Sequence, residues 1–521
     1  MRVRSTIINI SAGIGNQLII TVLSFISRTV FINSLGIEYL GVNALFINIL
    51  GMLSLAEAGI GSSIVYSLYK PVADNDHNKI NILMRLYKRA YLVIALVVTL
   101  LGLSLLPFLD YVVKDSGVPN LSLIYLIFLL NTAAPYLFTY KNSFLNVCQK
   151  GYIVTLVFTV SSILSTCLKI GILYYTENYI LFLIVDCTIT ICTAYYLVIV
   201  VNRMYPFLKN KVVGKLDAET RNGIVKNVKA IVIQNIGAYL VLGTENILIS
   251  SFVSIVAVGL YSNYKMLIDI GRTFINQVFN NMYHSIGNLV SKESDEKIYS
   301  VYKVMLLLSF WLYSIITIAL YILIEPFIQI WIGSEFLMTS GVLIVLMLIF
   351  YERGMRNSIS TVKTTAGIFH EDRFAPLGQA AVSLAISIVL VHQIGIAGIF
   401  LGSFLSALAI PFWVTPVLVY KKVFHKPVID HYRKIAYYTV IGIATIYLTD
   451  YICGFIHAAS FMQLFAKAIV VLLTVNAVYF ILFHRTEEFA YLRGIGKSLA
   501  GKLIKKKTKH HKQEVRGKWL F

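Results

Sequence analysis

The chain has 521 residues, of which 58% are hydrophobic and only 13% charged, and its formal net charge is +20. A charged share so far below the roughly one quarter of ordinary globular domains excludes a soluble fold. The basicity suggests nucleic acid only until one reads where the charges sit.

Apolar segments of membrane-crossing length recur from end to end, interrupted by short polar loops. They predict spans at residues 10–34, 39–68, 87–112, 119–140, 152–175, 179–202, 229–254, 256–288, 304–330, 337–361, 377–394, 396–420, 435–457 and 463–484. The N-terminal MRVRSTIINISAGIGNQ carries no cleavage site and leads directly into the first span. With the first loop inside and span ends taken to within three residues, 37 of the 45 Lys and Arg fall in loops on that side. Lys114 stands alone on the other side, and Arg28, Lys169, Lys265, Arg272, Arg353, Arg356 and Lys467 lie within spans. This asymmetry places both termini in the cytoplasm and explains the net charge without nucleic acid. The expected fold is an all-α polytopic membrane protein of about 14 transmembrane helices. Five cysteines with no CxxC read as apolar filler, so no disulfide framework, redox centre or metal site is expected.

Residues 40–80, LGVNALFINILGMLSLAEAGIGSSIVYSLYKPVADNDHNKI, combine an apolar helix with one acid, Glu57, and small residues around Gly59 and Gly61. The pattern returns at 258–298 as VGLYSNYKMLIDIGRTFINQVFNNMYHSIGNLVSKESDEKI. Asn43 answers Asn263, Lys79-Ile80 answers Lys297-Ile298, Pro107 answers Pro326, and Asn142-Ser143 answers Asn357-Ser358, at offsets of 220, 218, 219 and 215. An internal duplication of a membrane unit is a transporter trait. The expected organisation is an N-terminal lobe (1–204), a cytoplasmic linker (205–228), a C-terminal lobe (229–420), two extra helices (421–484) and a basic cytoplasmic tail (485–521). Each repeat holds an even number of helices, so the two are related by an axis along the membrane normal. The end of the linker reads as a basic amphipathic helix at the inner headgroups. The tail is either solvated or drawn to anionic lipid; its His510 and His511 are too few to argue for a metal.

Loops on the outer side are short, the longest lying around 110–120 and 332–336. They carry no DxD or acidic pair, and the chain has no GxxxxGK[ST] loop. Neither an enzyme nor an ATPase is expected, and no cofactor.

Charges inside spans are costly and by default face an interior cavity or a partner. Arg28 is in span 1. Lys265, Asp269 and Arg272 share one face of span 8. They are either a self-neutralising ladder or, with one positive charge left over, a cationic wall of a water-filled cavity. Together Arg28 and Arg272 would clamp phosphate oxygens. Glu57 and Glu245 either pair with a cavity arginine or take up a proton or cation during transport. In span 10, Glu352 and Arg356 form an i, i+4 pair, and Arg353 projects elsewhere; headgroup snorkelling and substrate capture both suit these arginines. Lys169 and Lys467 are expected to snorkel, and Asp186 is left without a role.

Three stretches, LGIEYLGVNALFINILGMLSLAEAGIGSSIVYSLYKPVADND (35–76), GLYSNYKMLIDIGRTFINQVFNNMYHSIGNL (259–289) and HEDRFAPLGQAAVSLAISIVLVHQIGIAGIFLGSFLS (370–406), resemble bacterial Wzx-type oligosaccharide flippases. These belong to the multidrug/oligosaccharidyl-lipid/polysaccharide (MOP) exporter superfamily, which includes MATE transporters. The resemblance implies two six-helix lobes around a central cleft, followed by two extra helices. It implies movement of undecaprenyl-diphosphate-linked oligosaccharide repeat units from the inner to the outer leaflet of the bacterial cytoplasmic membrane, for surface polysaccharide. Polysaccharide polymerase and chain-length proteins would then be partners. By helix position it assigns Arg28 and Arg272 to the diphosphate, with Lys265 beside them and Arg353 and Arg356 as secondary candidates. Glu57, Glu245 and Asp269 remain coupling or ion-pair candidates.

Two other readings stand beside this one. A MATE-like drug or cation antiporter would favour acids over bases in its cleft. A membrane polysaccharide polymerase would need outer loops large enough for a catalytic site.

Overall fold

The computed structural model describes residues 2–494 except 58–59, 114–115, 211–213, 215, 369–370 and 458. Gly59, Lys114 and most of the basic tail, with His510 and His511, lie outside the described residues. Among the described residues the regular structure is helical, with no strand.

In chain order the helices are α1 (Arg2–Leu35), α2 (Ile37–Leu53), α3 (Ile60–Ala73), α4 (His77–Ser104), α5 (Leu109–Val112), α6 (Leu121–Ala133), α7 (Tyr136–Val147), α8 (Gly151–Thr176) and α9 (Tyr179–Met204). There follow α10 (Ala218–Phe252), α11 (Ile255–Lys292), α12 (Asp295–Trp331), α13 (Ser340–Thr365), α14 (Ala375–Ile394), α15 (Ile396–Ala409), α16 (Pro411–Val419), α17 (Ile429–Gly454) and α18 (Phe461–Phe483). Every predicted span coincides with one of these helices or with two in succession. Nine helical stretches among the described residues are long and apolar enough to cross a membrane, and Ile19–Leu35 and Ile37–Leu53 are shorter apolar helices.

Proline breaks some spans and not others. Pro135 and Pro411 sit where α7 and α16 begin, and Pro107 lies in a 3₁₀ turn at Leu106–Phe108. Each lacks the N–H that would continue the preceding helix. Pro326 and Pro416 instead lie inside continuous helices, the latter followed by a π turn at Tyr420–Phe424. The second span is interrupted without proline, by a 3₁₀ turn at Ser54–Glu57 that holds the acid.

The chain forms two compact units. One comprises residues 1–266 and 373–407, the other 267–372 and 408–521. In the first, α1 packs on α8, α8 on α9, and α10 lies against α2, α3 and α14. In the second, α12 packs against α13, α17 and α18 around an aromatic core. There Phe310 stacks on Tyr438 with centroids 4.8 Å apart.

The usual amphipathic logic is inverted in the first unit. On α8 the exposed side chains include Leu156, Val160, Leu164 and Leu168. These suit hydrocarbon, and the polar stripe of the same helix turns inward. Residues 218–228 form no separate surface helix but are the first turns of α10. Asp217 caps them, accepting from Thr220 N at 2.9 Å and pairing with Lys79 at 3.1 Å.

Candidate functional site

Three helices of the first unit carry polar residues at helical spacing. On α1 the stripe is Ser24, Ser27 and Arg28; on α8 it is Ser161, Ser165 and Lys169; on α9 it is Asp186, Thr190 and Thr193. Positions three and four apart share a face, and all these residues line one cavity of about 670 Å³. Asn43 of α2 and Asn131 and Thr132 of α6 complete its polar wall, and Phe128, Phe158 and Phe182 supply apolar surface.

Arg28 reaches the cavity from α1. Its Nη1 donates to Ser262 Oγ at 2.9 Å and to Asn263 Oδ1 at 3.0 Å, both on α11. Both partners are neutral. A guanidinium has five N–H donors, and among the described residues no acid pairs with this one. The arrangement fixes the side chain and leaves its charge uncompensated. Asn263, one of the duplication landmarks, is completely buried.

Lys169 and Asp186 form the second polar centre, and here the sequence reading is corrected. Lys169 does not snorkel. Its Nζ donates to Asp186 Oδ1 at 2.6 Å, and its side chain is only 18% exposed. Asp186 also accepts from Ser165 Oγ at 2.8 Å and from Asn131 Nδ2 at 3.3 Å. The signal lay in the hairpin: the two residues are equidistant from the turn at Glu177–Asn178, so antiparallel α8 and α9 bring them to one height.

The other predicted charges are spread over the molecule. Glu57 accepts from the Tyr91 hydroxyl, and the Tyr87 hydroxyl lies 3.5 Å from that of Tyr91 and donates to Ser143 Oγ at 3.1 Å. Glu57 therefore has a tyrosine partner in place of an arginine. Glu245, buried on α10, accepts from Tyr261 at 3.2 Å and from Ser403 at 3.4 Å. On α11, Arg272 pairs with Asp269 at 3.0 Å, both partly exposed; Lys265 lies one turn earlier. On α13, Arg356 grips Glu352 through two bonds, at 2.8 and 3.2 Å, and Arg353 lies between them in the chain. The cavity thus gathers Arg28, together with the unpredicted Lys169 and Asp186. Arg272, Arg353, Arg356 and Asp269 belong to the second unit.

No protein-family model matches the sequence, and no curated protein is similar to it in sequence. Solved structures share its fold. The lipid II flippase MurJ, in an inward closed conformation, matches with a TM-score of 0.61 at 14% identity, over 92% of this chain and 99% of that one. A MATE family multidrug resistance transporter of the MOP superfamily, inward-facing, matches with a TM-score of 0.55 at 14% identity, over 75% of this chain and 92% of its own. The MATE multidrug transporter DinF-BH matches at 0.54 and 16% identity, over 81% of this chain and 97% of its own. Fold and composition together define a multi-pass α-helical membrane protein. Its architecture is the one shared by MATE transporters and MurJ.

Proposed function

We propose that the protein is a flippase of the MOP superfamily, moving undecaprenyl-diphosphate-linked oligosaccharide repeat units from the inner to the outer leaflet of the bacterial cytoplasmic membrane. The observation that carries this reading is Arg28: a guanidinium held by neutral partners on the wall of a polar cavity. An ionic group within a membrane is retained where it meets a partner or a substrate. A diphosphate offers oxygens at the spacing a guanidinium recognises. Likeness in fold to a lipid II flippase supports a lipid-linked substrate.

In this reading residues 1–204 and 229–420 are the lobes that rock about a central site, 205–228 tethers them, and 421–484 adds a hairpin. Both termini are cytoplasmic. Arg28 holds the diphosphate, with Arg272 and Lys265 as further contacts and Arg353 and Arg356 as secondary ones. Glu245, buried among hydroxyls, and Glu57 are the coupling candidates, and Asp269 neutralises Arg272. Polysaccharide polymerase and chain-length proteins would act on the delivered units. The test is export of surface polysaccharide in cells whose only copy carries Arg28→Ala. Loss of export with normal protein level is expected; wild-type export would overturn the assignment.

A second reading, a drug or cation antiporter, draws on the shared MATE fold and on the buried Glu245.

A further inference from the structure

Away from the cavity, three lysines of the first unit meet on the side predicted to be cytoplasmic. There α4 packs on α7 and α7 on α9. The 3₁₀ turn Pro206–Lys209 after α9 returns to α4, where Asn81 Nδ2 donates to Phe207 O at 2.9 Å. The meeting point carries Lys88 from α4, Lys141 from α7 and Lys209 from the turn. The Lys141 ammonium is partly buried and donates to Asn202 Oδ1 on α9. Lys88 and Lys209 are exposed, and near enough for their charges to bear on it.

Like charges brought together repel one another, and an interspersed acid is the usual remedy. Lys79 pairs with Asp217 at 3.1 Å and Lys434 with Glu488 at 3.0 Å. Among the described residues no carboxylate pairs with Lys88, Lys141 or Lys209. Asn202 is neutral, and the Tyr140 ring, 5.9 Å from Lys141 Nζ, offers only its face. The three charges thus stand together without a counter-ion from the described chain.

Exposed apolar surface continues from this point into the membrane. Leu92 follows Lys88 by one turn, Leu137 precedes Lys141 by one turn, and Tyr195 and Ile199 share a face with Asn202. All four are exposed. In the predicted topology α4 runs outward while α7 and α9 run inward, so all four lie deeper than the charges. Phe138 packs on Tyr195 with ring centroids 6.0 Å apart, joining α7 to α9 at that depth.

We propose that Lys88, Lys141 and Lys209 form a binding site for an anionic phospholipid of the inner leaflet, with its phosphate between the ammonium groups and its acyl chains along Leu92, Leu137 and Ile199. Basic pockets between membrane helices on the cytoplasmic side suit such headgroups. The phosphate supplies the missing counter-ion, and the hydrocarbon below it covers the apolar side chains. Because Lys209 belongs to the turn that begins the linker, the bound lipid ties that turn to α4 and α7.

Native mass spectrometry of the delipidated full-length protein, titrated with dioleoylphosphatidylglycerol or dioleoylphosphatidylcholine, tests this. The first site on wild type should prefer the anionic lipid by at least about tenfold. Lys88→Gln, Lys141→Gln and Lys209→Gln should each weaken phosphatidylglycerol binding about fivefold and leave phosphatidylcholine binding unchanged. The control for net charge is Lys421→Gln with Arg433→Gln, two exposed bases of the second unit, which should keep the wild-type preference. If Lys141→Gln does not fold, Lys209→Gln, on an exposed turn, reads the same preference. Wild-type preference in the lysine variants, or an equal loss in the control, overturns the site. Displacement of phosphatidylglycerol by millimolar inorganic phosphate would show that the chains play no part. Displacement by equimolar undecaprenyl diphosphate would give the lysines to a prenyl diphosphate; either result overturns a phospholipid site. None of these outcomes involves Arg28, so the site stands or falls apart from the flippase reading.

Discussion

Gly41 and Gly259 make the same contact in mirrored roles. A Cβ at Gly41 would lie 2.1 Å from the carbonyl oxygen of Ile255, and a Cβ at Gly259 would lie 2.5 Å from that of Ile37. The glycines are 218 residues apart, and so are the isoleucines. Reciprocal contacts of this form arise when two copies of one unit face each other across a two-fold axis. They support an internal duplication and give α2 and α11 a close backbone approach that only glycine permits.

Gly41→Ala and Gly259→Ala should therefore each destabilise the protein. The obstacle is backbone, which cannot rotate aside as a side chain would. The expected cost is about 1–3 kcal/mol for each. Thermal unfolding of purified protein in detergent should show both melting below wild type, with Gly51→Ala, where a Cβ meets nothing within 4 Å, as the control. Wild-type melting of both variants would contradict the close approach.

The Lys169–Asp186 pair should behave as a coupled unit. Its side chains are 18% and 31% exposed, so the screened pair is worth less than a fully buried one, about 1–2 kcal/mol. Lys169→Met and Asp186→Asn should each lower the melting temperature. The double variant should lose less than the two losses combined, because neither charge is then stranded. Strict additivity in that cycle would show the two side chains to be independent.

Acid should act on the cap of α10. Thr220, through its hydroxyl and its amide, and Lys79 hold the Asp217 carboxyl well below the usual carboxylate range. A depressed folded-state value means that the contribution is complete above the unfolded value, near pH 4, and is lost as pH falls through the folded one. Asp217→Ala should thus melt below wild type by a constant margin from about pH 5 to 8, narrowing in stronger acid. A margin that instead shrinks between about pH 8 and 6 would refute this source of the cap's strength.

Substitution at Arg28 should separate charge from shape. Arg28→Lys keeps the cation but loses the planar fork and one of the bonds to Ser262 and Asn263. It should retain part of the transport that Arg28→Ala loses, at least tenfold being expected for the latter. Equal activity of the two would show that the positive charge does not matter. Each variant's export is to be scored against its membrane protein level.

Much of the architecture was legible in the sequence because bilayer thickness imposes one length scale on every span. The fourteen predicted segments each meet a helix or a consecutive pair, and Arg28 was singled out because an ionised group in hydrocarbon demands an explanation. What the pattern hid was pairing. Asp186 had no role in the sequence because its partner, Lys169, was assigned to the headgroups; only the α8–α9 hairpin brings them together. Glu57 and Glu245 were left open as partners of a cavity arginine, yet Arg28 meets Ser262 and Asn263, 234 and 235 residues away. Helical periodicity says which face a residue occupies and nothing about which distant helix faces it. The 3₁₀ turn at Ser54–Glu57 carries no proline, so composition gave no reason to place it.

The central claim is tested most directly in cells lacking this protein. Lipid-linked repeat units would be quantified, and their membrane face read with a sugar-modifying probe that does not cross the bilayer. Accumulation confined to the cytoplasmic face, relieved by the wild-type gene and not by Arg28→Ala, is the predicted result. Accumulation on the outer face would point to a polymerase, and no accumulation with altered drug sensitivity would point to an antiporter; either would contradict the account.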